Sequence, residues 1–271
     1  MRDMVDSRLK KKKLFLFDID GTIAVDETVF DGTMDLLSHI RKIGGKSIYI
    51  TNNSTKSRAD YAEKFQRMGI QAAEEDFITA SYAACRYLKE HHSEDRIYVA
   101  GTRSLVEELK REGLHVTTDG TDPVQVVLVG YDSELTYGKL VDVCRYLMTN
   151  PSCVYLATNP DLCCPTGFGS VPDCGAICGM IACAAGRMPL YLGKPNPVIV
   201  EYSLIQTGFS KDETIVVGDR LYTDIAVGIA AEVDTAVVFT GEAKKDDIKS
   251  TEYPPTWAFD SVRQLADLLN E

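Results

Sequence analysis

Residues 14–22 read Leu14-Phe15-Leu16-Phe17-Asp18-Ile19-Asp20-Gly21-Thr22, directly after the basic run Lys10 to Lys13. Four unbroken apolar residues, without alternation and too short for a helix, are the pattern of a strand buried on both faces of a parallel sheet. Gly21 suits a tight turn where that strand ends. Asp18 and Asp20 are two carboxylates two residues apart at a strand end, an arrangement that is costly without a counter-ion. Mg²⁺ prefers oxygen ligands and would neutralise them. A carboxylate can also attack phosphorus and form an aspartyl-phosphate. Asp, Gly and Thr equally favour turns and caps, so this stretch taken alone leaves both readings open.

Working outward, Leu36, Leu37, Ile40 and Ile43 recur at helical spacing over 34–43, and Gly44-Gly45 stops the helix. A short apolar strand over 47–50 ends at Thr51, which makes a strand–helix–strand unit. A second helix is predicted over 57–68, stopped by Gly69. The far end of the chain repeats the style. Strands are predicted over 214–217 and 235–239, and helices over 224–231 and 261–269. Both ends together predict one doubly wound parallel α/β sheet, a Rossmann-like core. Between them, strands over 96–99, 125–129 and 153–157 alternate with helices over 105–111 and 137–149. That is material for an inserted α/β domain of ordinary size, about 100 residues. The expected division is 1–81 and 181–271 as the core, with 82–180 as the insert.

Composition narrows the function. The 271 residues are 45% hydrophobic and 25% charged, as in ordinary globular proteins. Lys and Arg number 29 against 40 Asp and Glu, for a net charge of −11. Such a surface repels phosphate backbones, so no nucleic-acid partner is expected. No apolar run is long enough to span a bilayer, and the N-terminal segment MRDMVDSRLKKKK lacks the apolar stretch of an export signal. Eight cysteines without a CxxC pair then suggest free thiols in a reducing, cytoplasmic setting.

Of three further segments, the first and the last follow predicted strands, where open α/β sheets bind ligands. Thr51-Asn52-Asn53-Ser54 offers a hydroxyl, amides and backbone N–H groups at a strand-to-helix turn, which could hold a phosphate or merely cap a helix. Gly193-Lys194-Pro195-Asn196-Pro197 sets a lysine in a loop stiffened by prolines. Gly218-Asp219-Arg220-Leu221-Tyr222-Thr223-Asp224-Ile225 places Asp219 as a metal ligand, and Asp224 as a cap or a support for that shell.

In this order, DIDGT, TNN, GKPNP and GDRLYTDI resemble the haloacid dehalogenase (HAD) superfamily of phosphatases. The gap from Asp20 to Thr51 is too short for a cap domain and that from Asn53 to Lys194 is long enough. This arrangement resembles subclass IIA, the NagD, 4-nitrophenylphosphatase and phosphoglycolate phosphatase-like group with a C2-type cap. The resemblance implies a Mg²⁺-dependent hydrolase of small phosphate monoesters that works through an aspartyl-phosphate. Asp18 would be nucleophile and Mg²⁺ ligand. Asp20 would bind Mg²⁺ through its carbonyl and serve as general acid, then base. Asp219 would complete the protein's metal ligands. Thr51 and Asn52 would hold the phosphoryl oxygens, with Asn53 supporting the loop. Lys194 would neutralise charge, and Asp224 would steady Lys194 or the metal shell. A homodimer formed through the cap would be in keeping with the family. A phosphotransferase, or a sensor of a phosphorylated metabolite that performs no catalysis, is the competing reading, though a sensor has no use for a general acid.

Residues 159–175, rich in Pro, Gly and Cys, are expected to form a loop over the site. Its substrate-facing candidates are Asn159, Asp161, Cys163, Cys164 and Asp173. The segment holds no His, Lys or Arg, which disfavours a strongly anionic leaving group. The spacing of Cys163, Cys164, Cys174 and Cys178 matches no common zinc pattern, and reduced packing is the reading it favours.

Overall fold

Leu14–Phe17 forms a strand (β1) buried at every position in a computed structural model of the chain. The structure describes residues 7–166 and 168–271. Residues 1–6, the start of the segment read as no export signal, and Gly167 of the 159–175 segment lie outside the described residues. The chain divides into two compact units.

The first unit runs to Thr51 and takes in Arg58–Ile78 and Lys194–Glu271. Its sheet has six strands in the order β15-β14-β13-β1-β4-β5. These are Trp257–Phe259 (β15), Asp234–Val238 (β14), Thr214–Gly218 (β13), β1, Lys46–Thr51 (β4) and Phe77–Thr79 (β5). β1 lies parallel to β13 on one side and to β4 on the other, with Phe17 opposite Val217 and Tyr49. Burial on both faces matches the apolar runs of β1 and of residues 215–217 and 236–238, although β13 opens with Thr214 and β14 with Asp234 and Thr235. A small hairpin of Ala24–Val25 (β2) and Thr28–Val29 (β3) follows β1.

Helices Thr33–Lys42 (α1), Arg58–Arg67 (α2), Val198–Thr207 (α7), Ala226–Ala230 (α8) and Val262–Asn270 (α9) complete this unit. Leu36, Leu37 and Ile40 of α1 and Leu265, Ala266 and Leu269 of α9 join one core cluster with Phe15 and Phe17. Each of the Leu, Ile and Phe side chains contributes roughly 1.5–3 kcal/mol by leaving water. Within that core Phe65 meets Tyr49 and Phe77 edge-on, at 4.5 Å and 4.8 Å.

The second unit comprises Asn52–Ser57 and Thr79–Gly193. Its five-stranded parallel sheet runs β12-β9-β8-β6-β7. These are Leu190–Tyr191 (β12), Val154–Ala157 (β9), Val126–Val129 (β8), Arg96–Ala100 (β6) and His115–Thr117 (β7). Helices Ala80–His91 (α3), Arg103–Arg111 (α4), Tyr137–Thr149 (α5) and Cys174–Ala185 (α6) accompany it. Thr79, Thr102 and Thr136 each accept a backbone N–H through the side chain and so cap α3, α4 and α5.

One expectation is corrected here. The 159–175 segment is not an irregular loop: Cys163–Thr166 (β10) and Gly169–Pro172 (β11) pair as an antiparallel hairpin. Pro165 and Pro172 hide the strand pattern, yet a two-stranded ribbon tolerates proline because its outer edges need no ladder donors. None of the eight cysteines, all among the described residues, is in a disulfide; Cys174 and Cys178 are buried and Cys163 is exposed. Among the described residues no helix is long and apolar enough to cross a membrane.

Candidate active site

The pairing of β1 with β13 carries two aspartates past adjacent carboxyl ends. The Asp18 backbone N–H donates to the Val217 carbonyl at 2.9 Å, and Asp219 follows the last residue of β13. Lys194 brings its Nζ to this point. It donates to Asp18 Oδ1 at 2.6 Å, to Asp224 Oδ1 at 2.7 Å and to the Ile50 carbonyl at 3.1 Å. Burial works against the charge of Lys194, but the Asp18 and Asp224 carboxylates outweigh it and hold the ammonium above its ordinary range.

Asp224 is placed by a π-helical turn, Leu221–Ile225, that leads into α8. The expectation of a plain α-helix from 224 is corrected by this wider turn, which the GDRLYTDI sequence does not announce. Its Oδ2 accepts the Arg220 N–H at 3.0 Å. Burial pushes Asp224 up to about 6, with Lys194 pulling the other way and Asp18 adding to the rise. Gly218 makes the close approach possible: a Cβ there would lie 2.2 Å from the Asp224 Cβ.

Asp219 sits between two chain reversals. A Cβ on Gly21, which has φ +94°, would lie 2.7 Å from its Oδ2, and one on Gly241 would lie 1.9 Å away. Only hydrogen at both positions leaves room for the carboxylate. Oδ2 accepts the Glu242 N–H at 2.7 Å. Oδ1 is buried and has no hydrogen-bond partner among the described residues. Burial, then the charges of Asp18 and Asp224, push Asp219 up to about 8.

One oxygen each of Asp18, Asp219 and Asp224 can be chosen so that all three lie within 4.8 Å of one another. Three carboxylates thus face one ammonium. The Asp224 oxygens are taken by Lys194 and the Arg220 N–H, whereas among the described residues Asp219 Oδ1 has no partner and Asp18 Oδ2 meets only the Thr22 hydroxyl at 3.5 Å. A hard divalent cation fits this donor set through Asp18 and Asp219, because it would supply both the missing charge and the missing partner.

Asp20 stands apart. Its carboxylate is 46% exposed and meets the Nζ of Lys64 at 3.3 Å. Thr51 is the buried last residue of β4. The next two residues have contacts in the second unit: Asn52 donates its amide to Asp161 at 2.6 Å, and Asn53 accepts the N–H and hydroxyl of Thr55 in an Asx turn. Asn159 donates to Asp161 at 2.9 Å and to Asp173 at 3.0 Å, all three being buried. Asp173 also caps α6. Of the five substrate-facing candidates, Cys163 is exposed and Cys164 half-buried.

Two contributors carry no motif. The turn after β14 lends the Glu242 N–H to Asp219 and the Thr240 hydroxyl to the Gly21 carbonyl at 2.6 Å. The strand predicted over 235–239 ends just before Thr240-Gly241, so the strand-end rule could have found this turn. Lys64 had no such signal, because a lysine within a helix reads as solvated.

Comparison with known proteins bears on this geometry. A family model described as haloacid dehalogenase-like hydrolase matches residues 15–115, and a second HAD-like model matches residues 191–265. An acid sugar phosphatase of Staphylococcus epidermidis is 34% identical over 251 residues, covering 93% of this chain and 95% of that protein. The crystal structure of a 4-nitrophenylphosphatase from Thermotoga maritima superposes with a TM-score of 0.91 at 32% identity, covering 97% of this chain and 99% of the other. A glycerol phosphate phosphatase from Mycobacterium tuberculosis, in complex with calcium, gives a TM-score of 0.88 at 26% identity, covering 95% of this chain and 76% of that one.

Proposed function

This chain belongs to the haloacid dehalogenase-like hydrolases, and we propose that it is a Mg²⁺-dependent phosphatase of small phosphate monoesters, sugar phosphates among them, acting through an aspartyl-phosphate on Asp18. The observation that carries this reading is Lys194 held between Asp18 and Asp224 beside a buried, unpartnered Asp219 oxygen. The chain's relation to an acid sugar phosphatase supports the substrate class. The absence of His, Lys and Arg from residues 159–175 supports a neutral leaving group such as a sugar alcohol.

Each residue then has a task. One Asp18 carboxylate oxygen attacks phosphorus and the other is left for the cation, with Lys194 beside them through its bond to Oδ1. Lys194 sets a positive charge where the phosphoryl oxygens gather negative charge. Asp20 gives its proton to the departing ester oxygen and then takes one from the water that opens the aspartyl-phosphate. Thr51 and Asn52 hold the phosphoryl oxygens, and Asn53 stiffens their turn. Asp224 anchors Lys194. Mg²⁺, held by Asp18, Asp219 and the Asp20 carbonyl, would add positive charge at the same phosphoryl oxygens.

Phosphate release from 4-nitrophenyl phosphate and a series of sugar phosphates tests this reading. It should fall at least about 100-fold when EDTA replaces Mg²⁺, because a Lewis-acid contribution of several kcal/mol is removed. Equal release with and without EDTA would overturn the metal dependence. Phosphate appearing on an added alcohol in place of inorganic phosphate would make the protein a transferase.

Metal binding has its own readout in stability. At a concentration of 100 Kd a ligand adds ~2.7 kcal/mol, so Mg²⁺ should raise Tm by about 5–10 °C. Asp219→Asn should abolish that rise. In EDTA the sign follows from Asp219, which folding raises to about 8. Its contribution to stability is full below about pH 4, the unfolded value, and is lost as pH rises to about 8. The chelated protein should lose Tm across that window, and Asp219→Asn should lose less. A Tm of Asp219→Asn that still climbs with Mg²⁺ would remove Asp219 from the ligand set.

A further inference from the structure

Lys64 is an oddity in its helix. Its side chain is only 9% exposed, although lysine is almost never buried without a partner. It stands on α2 between Tyr61 and Phe65, both buried. Tyr61 stacks on Phe77 at 5.7 Å, and Phe65 packs edge-on against Tyr49 and Phe77. The aromatic cluster therefore fixes the helix face that presents the ammonium. The single polar partner of Lys64 Nζ among the described residues is Asp20 Oδ1, at 3.3 Å.

Asp20 is equally fixed at its backbone. The Gly21 N–H donates to the Ala24 carbonyl at 2.8 Å, and the Ile19 carbonyl receives the N–H groups of Ile23 and Ala24. These bonds brace the Asp20 backbone on both sides and leave the side chain as the part that Lys64 holds. Lys64 is the buried member of the pair and Asp20 the half-exposed one, so the fixed ammonium restrains the carboxylate and not the reverse.

We infer that Lys64 is a positioning residue for Asp20: it holds the carboxylate in one orientation on the turn after β1, ready for its two proton transfers. The inference rests on the phosphatase reading above. In the first step an Asp18 oxygen bonds to phosphorus, the ester P–O bond breaks, and the Asp20 proton goes to the departing oxygen. In the second, water oxygen bonds to phosphorus, its proton goes to Asp20, and the Asp18–phosphorus bond breaks. Lys64 touches neither substrate nor phosphorus in this scheme. It restricts where Asp20 points while both steps proceed.

The test exploits leaving-group chemistry. A sugar alkoxide needs the Asp20 proton to depart, whereas 4-nitrophenolate needs it far less. Lys64→Met should lower kcat/KM for a sugar phosphate roughly tenfold, a fraction of the 10²–10⁴ that a general acid supplies. It should lower kcat/KM for 4-nitrophenyl phosphate less than about threefold on the same scale. Lys64→Arg should restore the sugar phosphate rate. In an Asp20→Asn background, adding Lys64→Met should cost nothing further, since two residues acting as a unit are not additive. Lys64→Gln, measured alongside, keeps the result independent of any folding defect in the Met variant. Equal losses on both esters, or a full additional loss in the Asp20→Asn background, would overturn the inference. Wild-type protein inert toward both esters would instead overturn the phosphatase reading on which it stands.

Discussion

Asp18→Asn should abolish phosphate release, by at least about 10⁴-fold, while leaving the fold intact. Losses of that order follow when a covalent nucleophile is removed from a site that otherwise still binds and polarises its substrate. The substitution is nearly isosteric. Its carbonyl oxygen can still accept the Lys194 bond that Asp18 Oδ1 accepts at 2.6 Å, and Lys194 keeps Asp224 at 2.7 Å. What disappears is the second oxygen as an anionic nucleophile and one negative charge in the cluster. Asp18 raises the pKa of both Asp219 and Asp224, so both should titrate lower in the variant. Phosphate release under saturating Mg²⁺ measures the loss, and the thermal transition reports the fold. Residual turnover within tenfold of wild type, with Tm unchanged, would move the nucleophile elsewhere.

Three residues of this site were legible because each stands at a strand end. Leu14–Phe17 is so uniformly apolar that a buried parallel strand is the reading it allows, and its neighbours β4 and β13 share the trait over residues 48–50 and 215–217. Given the strand-end rule, Asp18, Thr51 and Asp219 are found from sequence. Lys194 is not found that way. A lysine between glycine and proline has no local mark of burial, and only the order of the four segments, by resemblance, singled it out. The remaining features are tertiary. The π-helical turn that aims Asp224 comes from packing under β13 and β14, where Gly218 clears its path. Lys64 looks like any helical surface lysine until Tyr61 and Phe65 turn its face inward. The β10–β11 hairpin was hidden because its prolines argue locally against strands, and pairing with a partner strand overrides that preference.

These tertiary features explain why the site tolerates its own charge. Asp219 and Asp224 are both pushed upward by burial and by the carboxylates around them, to about 8 and about 6. Such a cluster is unfavourable to folding unless cations enter it. The chain supplies one, Lys194, and leaves Asp219 Oδ1 bare for another. Stability and catalysis thus depend on the same positive charges, which makes them separable only by pairing substitutions.

Lys194→Met is where the two should part. The ammonium is buried, and its removal leaves Asp18 and Asp224 without their cation. Breaking a buried pair in this way costs about 3–5 kcal/mol, because the partner charge stays behind. The penalty should grow with pH. Lys194 holds Asp224 down, so without it the folded value rises beyond about 6. A carboxyl raised by folding stabilises below its unfolded pKa and loses that contribution as pH climbs through the folded one. The variant carries this loss to a higher pH than wild type does, so the difference in stability should be smaller at pH 5 than at pH 8. Denaturant unfolding at both values measures it. Adding Asp224→Asn removes the stranded carboxylate and should recover most of the lost stability, since deleting both partners is far cheaper than deleting one. Activity should not return. Losing one preorganised positive group costs about 10²–10³-fold in turnover, and a neutral amide in place of the Asp224 carboxylate supplies no positive charge to replace it. Recovery of turnover together with stability in the double variant would reduce Lys194 to a structural counter-ion.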